Sequence, residues 1–145
     1  RADMLLGSML AGQAFANSPV AAVHALAYPI GGLFHIPHGL SNALVLPHVL
    51  RFNAETAGEA YAGIAPLVFP KLGEIGTQGR AAAFADELQA LSIRCGLPPR
   101  LRDVDIPESA LEKMADDAMR QTRLLVNNPR PLARPDALAI YRAAW

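Results

Sequence analysis

The sequence predicts an all-helical domain, on two observations. Alanine and leucine together supply about a third of the 145 residues, and both rank at the top of the helix-propensity scale. No run of Val, Ile, Thr and aromatic residues alternates apolar with polar over more than about four positions, as a half-buried strand would. The hydrophobic fraction is 52%, with 13 basic against 13 acidic side chains. A chain of this length buries roughly 68–70% of its unfolded surface, so one domain with a real core is expected and disorder is excluded.

The elements follow in order. Residues 2 to 16 carry Met4, Leu5, Met9, Leu10 and Phe15 with small residues between them, which reads as one buried helix. Asn17-Ser18-Pro19 supplies a stop, an N-cap in Ser18 and a first-turn proline, so a second helix is expected from Pro19 toward Phe34, bent near Pro29. Ile36-Pro37-His38-Gly39 reads as a short connection. Leu40 to Asn53 resumes a helical pattern in which Pro47 predicts a kink or two pieces, and residues 55 to 69 read as a further helix. Glycines at 73, 76 and 79 mark Lys71 to Gly79 as a loop. Arg80 to Cys95 places Ala81, Phe84, Leu88, Leu91 and Cys95 on one face and ends at Gly96. Asp105-Ile106-Pro107-Glu108 looks like the start of a helix carrying Leu111, Met114, Ala115, Ala118 and Met119. A last helix begins at Pro135-Asp136, linked to the previous one by Asn127 to Pro131.

Composition also bounds function. A net charge of zero, with arginines scattered among acids, argues against nucleic acid. Apolar stretches break well short of the roughly 18 residues of a membrane span, and no basic leader precedes an apolar run, so no membrane partner is expected. A single cysteine, Cys95, excludes an intrachain disulfide and suits a reducing, cytoplasmic compartment. The chain opens inside a helical pattern and without Met, which leads us to expect part of a longer protein.

Chemistry-bearing residues concentrate early. His24, His35 and His38 lie within fifteen residues of one another in the least polar third of the chain. A turn over Phe34 to Pro37 would bring His24 and His38 together, and imidazole is the commonest metal-binding side chain, although a buried histidine is more often a satisfied core residue. Two imidazoles are half a site, since zinc and catalytic iron take three or more protein ligands. The Asp and Glu residues concentrate after residue 55 and read as a solvated surface. Tyr28 is four residues from His24 and shares its face, where a phenol either relays a proton to a ligand or fills the core. No phosphate-binding glycine loop or nucleophile elbow is present.

The string His24-Ala-Leu-Ala-Tyr28-Pro29-Ile-Gly31-Gly32-Leu-Phe-His35-Ile-Pro37-His38-Gly39-Leu-Ser-Asn42-Ala-Leu-Val-Leu46-Pro47 resembles the signature of the iron-containing (group III) alcohol dehydrogenase family. The resemblance continues through Phe52-Asn53, Asn128-Pro129-Arg130 and Asp136 to Tyr141, and so covers essentially the whole chain. It implies that residues 1–145 are the all-α, C-terminal, metal-binding domain of a two-domain dehydroquinate synthase-like enzyme. The N-terminal α/β domain that binds NAD or NADP would lie outside this chain. His24 and His38 match the family's third and fourth ligands to Fe2+ or Zn2+; the other two, an Asp and a His, fall before Arg1.

Tyr28 stands where many members carry a second histidine assigned to proton relay or nicotinamide contact. Phe15 matches an aromatic near the nicotinamide, and His35 matches no ligand but is expected to line the same region at most. Maleylacetate reductases, a related branch, differ around the two histidines, which favours the alcohol dehydrogenase branch. The implied parent activity interconverts a small-molecule alcohol and its aldehyde or ketone, in a protein expected to be a homo-oligomer, with the isolated chain inactive. The competing reading is a stand-alone, non-catalytic helical module: a fragment, a dimerisation unit or a weak metal binder.

Overall fold

A computed structural model describes residues 1–145, and its regular elements are all helical. Seven α-helices run in the order α1 (Ala2–Asn17), α2 (Ala22–Phe34), α3 (His38–Val68), α4 (Thr77–Arg94), α5 (Leu111–Ala118), α6 (Thr122–Leu125) and α7 (Arg134–Ala144). Short 3-10 turns at Pro70–Glu74, Leu101–Val104 and Glu108–Ala110 punctuate them. No helix is long and apolar enough to cross a membrane.

The main core joins α2, α3, α5 and α7. Leu26 and Ile30 from α2 pack with Val45 and Val49 from α3, Leu111 and Met114 from α5, and Ile140 and Tyr141 from α7. Full burial of one such aliphatic side chain is worth roughly 1.5–3 kcal/mol. The apolar spacing expected of α5 holds: every buried position, namely Leu111, Met114, Ala115 and Ala118, is on the expected face. A second small cluster of Ala65, Leu72 and Phe84 ties the far half of α3 to α4, with Phe69 edge-on to Phe84.

Several expectations need correcting. The first helix forms over the expected residues but buries none of them; Met4 and Leu5 are 78% and 73% exposed. Apolar composition says that a face seeks cover, not that the cover lies among these residues. The second helix starts at Ala22, not Pro19, and Ser18 caps nothing at its start. The carbonyl of Val20 instead accepts a hydrogen bond from Asn127 Nδ2 at 3.1 Å, which holds the residues after Pro19 outside the helix.

The helix expected to divide at Pro47 and to stop at Asn53 is one continuous α3 of 31 residues, about 46 Å long at 1.5 Å per residue. A proline forfeits one hydrogen bond, and Val45 and Val49 on either side of it sit in the core, where packing outweighs that loss. Asn53, which looked like a terminus, is buried mid-helix because a distant partner satisfies its amide. The glycine-rich stretch is only partly a loop: Pro70–Glu74 is a 3-10 turn and α4 already begins at Thr77. The face of α4 is buried only in its first half, leaving Leu91 and Cys95 exposed. Gly96 adopts φ +78° just beyond α4 as a terminating glycine should. The start near Pro107 is a 3-10 turn before α5 proper, and the short α6 was not anticipated.

Candidate functional site

The turn between α2 and α3 builds the site. α2 ends on His35, which takes the left-handed conformation (φ 55°) and donates its N–H to Gly31 O at 3.0 Å. A Cβ on Gly31 would lie 3.4 Å from the Ile36 carbonyl, so the chain turns tightly against a residue with no side chain. Pro37 then has φ −52° and ψ 139°, and α3 starts at His38. The buried Ser41 hydroxyl is 3.2 Å from both the Ile36 and Pro37 carbonyls and pins the turn.

The four residues from Phe34 to His38 can span about 13 Å, close to the roughly 15 Å of helix between His24 and Phe34. The chain thus doubles back far enough for the two imidazoles to meet. Their ring centroids are 5.1 Å apart and tilted by 54°, and the Tyr28 ring lies 6.4 Å from that of His38. Pro29, one residue beyond Tyr28, lies inside α2 without ending it. The fully buried Tyr141 donates its hydroxyl to the Leu26 carbonyl, between His24 and Tyr28, at 2.6 Å.

These side chains face one cleft of about 470 Å³, lined by Ala11, Gly12 and Phe15 of α1, Val20, and His24, Tyr28 and His38. Phe15, His24, Tyr28 and His38, nominated from sequence, are therefore brought together. His35 is not: it sits exposed at the end of α2 and does not line the cleft. Burial, and secondarily the proximity of His38, pushes the His24 pKa below its ordinary value, which favours a neutral imidazole. A neutral imidazole is the form that binds metals.

Sequence reasoning missed Asn42. Its Nδ2 lies 3.1 Å from His38 Nε2, one helical turn away, while its Oδ1 is buried without a hydrogen-bond partner. The i, i+4 spacing from His38 was the signal available. His48 was also passed over; it lines a separate groove with Arg51, Phe52 and Asp136, and burial together with Arg51 depresses its pKa to about 4.

No cluster of three or more His, Cys, Asp or Glu side chains forms anywhere in the chain. A divalent metal nevertheless suits what is present. Two imidazole rings lie 5.1 Å apart, one of them favoured in its neutral form, and the residue in contact with the other carries a buried amide oxygen with no partner. As a donor set this is two imidazoles of a larger coordination sphere.

Comparisons with known proteins find relatives along the whole chain. The model of the Fe-containing alcohol dehydrogenase family, C-terminal, matches residues 1–145. The chain is 43% identical over 145 residues to long-chain-alcohol dehydrogenase 1 of Geobacillus thermodenitrificans, covering 100% of this chain and 37% of that protein. It is 34% identical over 143 residues to lactaldehyde reductase of Escherichia coli, covering 99% of this chain and 37% of the relative. Among solved structures, a 1,3-propanediol oxidoreductase superposes with a TM-score of 0.89 at 36% identity, over 95% of this chain and 36% of the other. The chain thus spans little more than a third of the length of these relatives. With a match that runs from its first residue to its last, the chain belongs to the iron-containing alcohol dehydrogenase family and corresponds to its C-terminal, all-helical part.

Proposed function

We propose that this chain supplies the metal-holding half of an NAD(P)-dependent alcohol dehydrogenase active site, with His24 and His38 as two of the ligands. The observation that carries this reading is the pair of imidazoles facing each other at 5.1 Å on the wall of a cleft. When bound, a divalent iron or zinc ion supplies Lewis acidity toward an alcohol or carbonyl oxygen, and a nicotinamide cofactor supplies hydride exchange. The cofactor would be held by an α/β domain outside these residues.

The chain's own contribution is positional. His24 and His38 orient the donor set, with burial lowering the His24 pKa and so favouring its neutral form. Phe15, 58% exposed on α1, offers an apolar wall that excludes water from a flat ring such as a nicotinamide. Tyr28, 44% exposed, presents a phenol on the same cleft and can hold a proton at its Oη next to the substrate oxygen. The substrate class is a small-molecule alcohol and its aldehyde or ketone, and the choices of iron over zinc and NAD over NADP rest with parts outside the cleft described.

The same reading includes homo-oligomeric assembly, for which the exposed apolar side chains of α1 are available surface, and a reducing cytoplasmic setting that suits the lone Cys95 thiol.

His24→Ala and His38→Ala, made in the full-length protein, test the metal assignment by elemental analysis and by NAD(P)H oxidation with aldehydes. Each is expected to cost at least the roughly 10–100-fold in metal affinity that outer-shell changes alone cost. Full metal content with full activity in either variant refutes the assignment. The 145 residues alone are expected to leave NAD(P)H unoxidised.

A further inference from the structure

We propose that Asn127 is a positioning residue that fixes where α2 begins, and through it how wide the cleft stands open; its bearing on substrate rests on the reading of that cleft as a reaction site. Four residues, Ser18 to Ala21, link α1 to α2, and Val20 within this link lines the cleft with Phe15 and His24. The Asn127 side-chain amide donates to the Val20 carbonyl at 3.1 Å, across 107 positions of sequence. It also donates to the Arg123 carbonyl at 3.1 Å, and the Asn127 backbone N–H donates to the Leu124 carbonyl at 3.1 Å. Both partners of the side chain are carbonyls, so its nitrogen, with two hydrogens, is the end that faces them. The residue is thereby fastened to the end of α6 on one side and to the link on the other.

Local sequence pulls the link the other way. Ser18-Pro19 is a favourable helix start, and in a helix beginning there the Val20 carbonyl would accept from the His24 N–H four residues on. Instead Ala21 takes φ −128° and ψ −141°, and the Ala25 N–H donates to the Ala21 carbonyl at 3.2 Å. The N–H groups of Ala22, Val23 and His24 are left without a backbone acceptor, as at any helix start. Winding Pro19 to Ala21 into α2 exchanges about 3.3 Å of rise per residue for 1.5 Å, which would draw α1 in by about 5 Å. Little in α1 resists this: it buries no residue, and its one side-chain hydrogen bond, from Asn17 Nδ2 to the Gln13 carbonyl, stays within the helix. Phe15 moves with α1, whereas His24, already inside α2, stays in place.

Asn127→Ala and Asn127→Asp, made in the full-length protein, test this; the aspartate keeps the shape and removes both donors. Amide hydrogen exchange on the metal-free protein, read by mass spectrometry over residues 18–26, follows the helix start. Elemental analysis and the KM and kcat for butanal with NAD(P)H follow the site. In both variants the Val23 and His24 amides are expected to exchange more slowly than in the wild type, because α2 winds back over Pro19. Metal content should be unchanged, and KM for butanal should rise about fivefold, the factor corresponding to one net hydrogen bond, with a smaller change in kcat. Loss of folded protein alone would do the reverse, speeding exchange and lowering kcat at constant KM. Exchange at these amides that is unchanged or faster in either variant, an unchanged KM, or a loss of metal overturns the proposal. The exchange is read without metal or substrate, so it decides the helix start whatever His24→Ala and His38→Ala show of the metal reading.

Discussion

At its first turn α3 presents His38 to an open cleft, with Asn42 one turn on; about 22 Å farther along the same helix, Asn53 is buried beneath the segment running from Asn128 to Arg130. The two places carry polar side chains on similar scaffolding and treat them oppositely. Around His38 the satisfaction is partial: an exposed imidazole, an exposed phenol and one buried amide oxygen without a partner. Around Asn53 it is complete. Asn53 and Asn128 exchange amide hydrogen bonds of 3.0 and 2.8 Å, and Asn128 also donates to the Arg130 carbonyl at 2.6 Å. Arg130 donates to the Phe52 carbonyl at 2.8 Å, stacks its guanidinium 4.0 Å above the Phe52 ring and pairs with Glu55 at 3.0 Å. Polar groups that are paired within the chain hold the fold, whereas the imidazole and phenol left open on the cleft are accessible to a ligand.

The contrast is broken most forcefully at the sealed end. Asn128→Ala leaves the Asn53 amide buried and unpaired, and should destabilise the domain by about 2–4 kcal/mol, the cost of an unsatisfied buried amide plus its lost hydrogen bonds. Urea unfolding followed by circular dichroism measures it; a loss below about 1 kcal/mol would mean that water reaches Asn53 freely and that the seal is not what it looks like.

Tyr141→Phe comes next, with an expected loss of about 1–2 kcal/mol, because it deprives the Leu26 carbonyl of its 2.6 Å donor while keeping the packed ring. An unchanged unfolding midpoint would show that this carbonyl is satisfied along α2 without the phenol.

His48 gives a pH-dependent effect of similar or smaller size. Its folded pKa of about 4 lies below the unfolded value of 6.5, so the unfolded chain binds the extra proton. The contribution is intact above about pH 6.5 and is lost as pH falls toward 4, by about 1–2 kcal/mol after allowance for partial exposure. Comparing the stability of the wild type with that of His48→Gln across this window isolates the term from carboxylate titration. Parallel curves for the two proteins would contradict it.

The smallest effect is expected at the open end. His38→Ala should move folding stability by no more than about 0.5 kcal/mol, as an exposed residue does, while removing one of the two proposed metal ligands. A large loss of stability there would make His38 a structural residue and erase the distinction between the two regions.

Much of the molecule was legible from its residues. The apolar spacing of Leu111, Met114, Ala115 and Ala118, and of Leu138, Ile140 and Tyr141, marked core faces correctly because a helix has one period and these helices have one neighbour side. The candidate site was legible as a set, since Phe15, His24, Tyr28 and His38 line one cleft. What misled was local grammar overridden at a distance. Pro47 and Asn53 read as breaks, yet packing carried α3 through the first and Asn128 satisfied the second from 75 residues away. Ser18 and Pro19 read as a helix start, but Asn127 holds the Val20 carbonyl outside the helix.

The all-helical class, the apolar faces and the histidine pair were determined by sequence alone, because each depends on propensity or on spacing along one chain. The tertiary structure decided which faces find cover and which polar groups find partners. α1 is more apolar than α3, α4, α5 or α7 and stays bare, Asn53 is closed off by a long-range partner, and Asn42 is left with one hand on His38 and the other empty. Burial and hydrogen-bond satisfaction are properties of what arrives from elsewhere in space, and no local pattern encodes them.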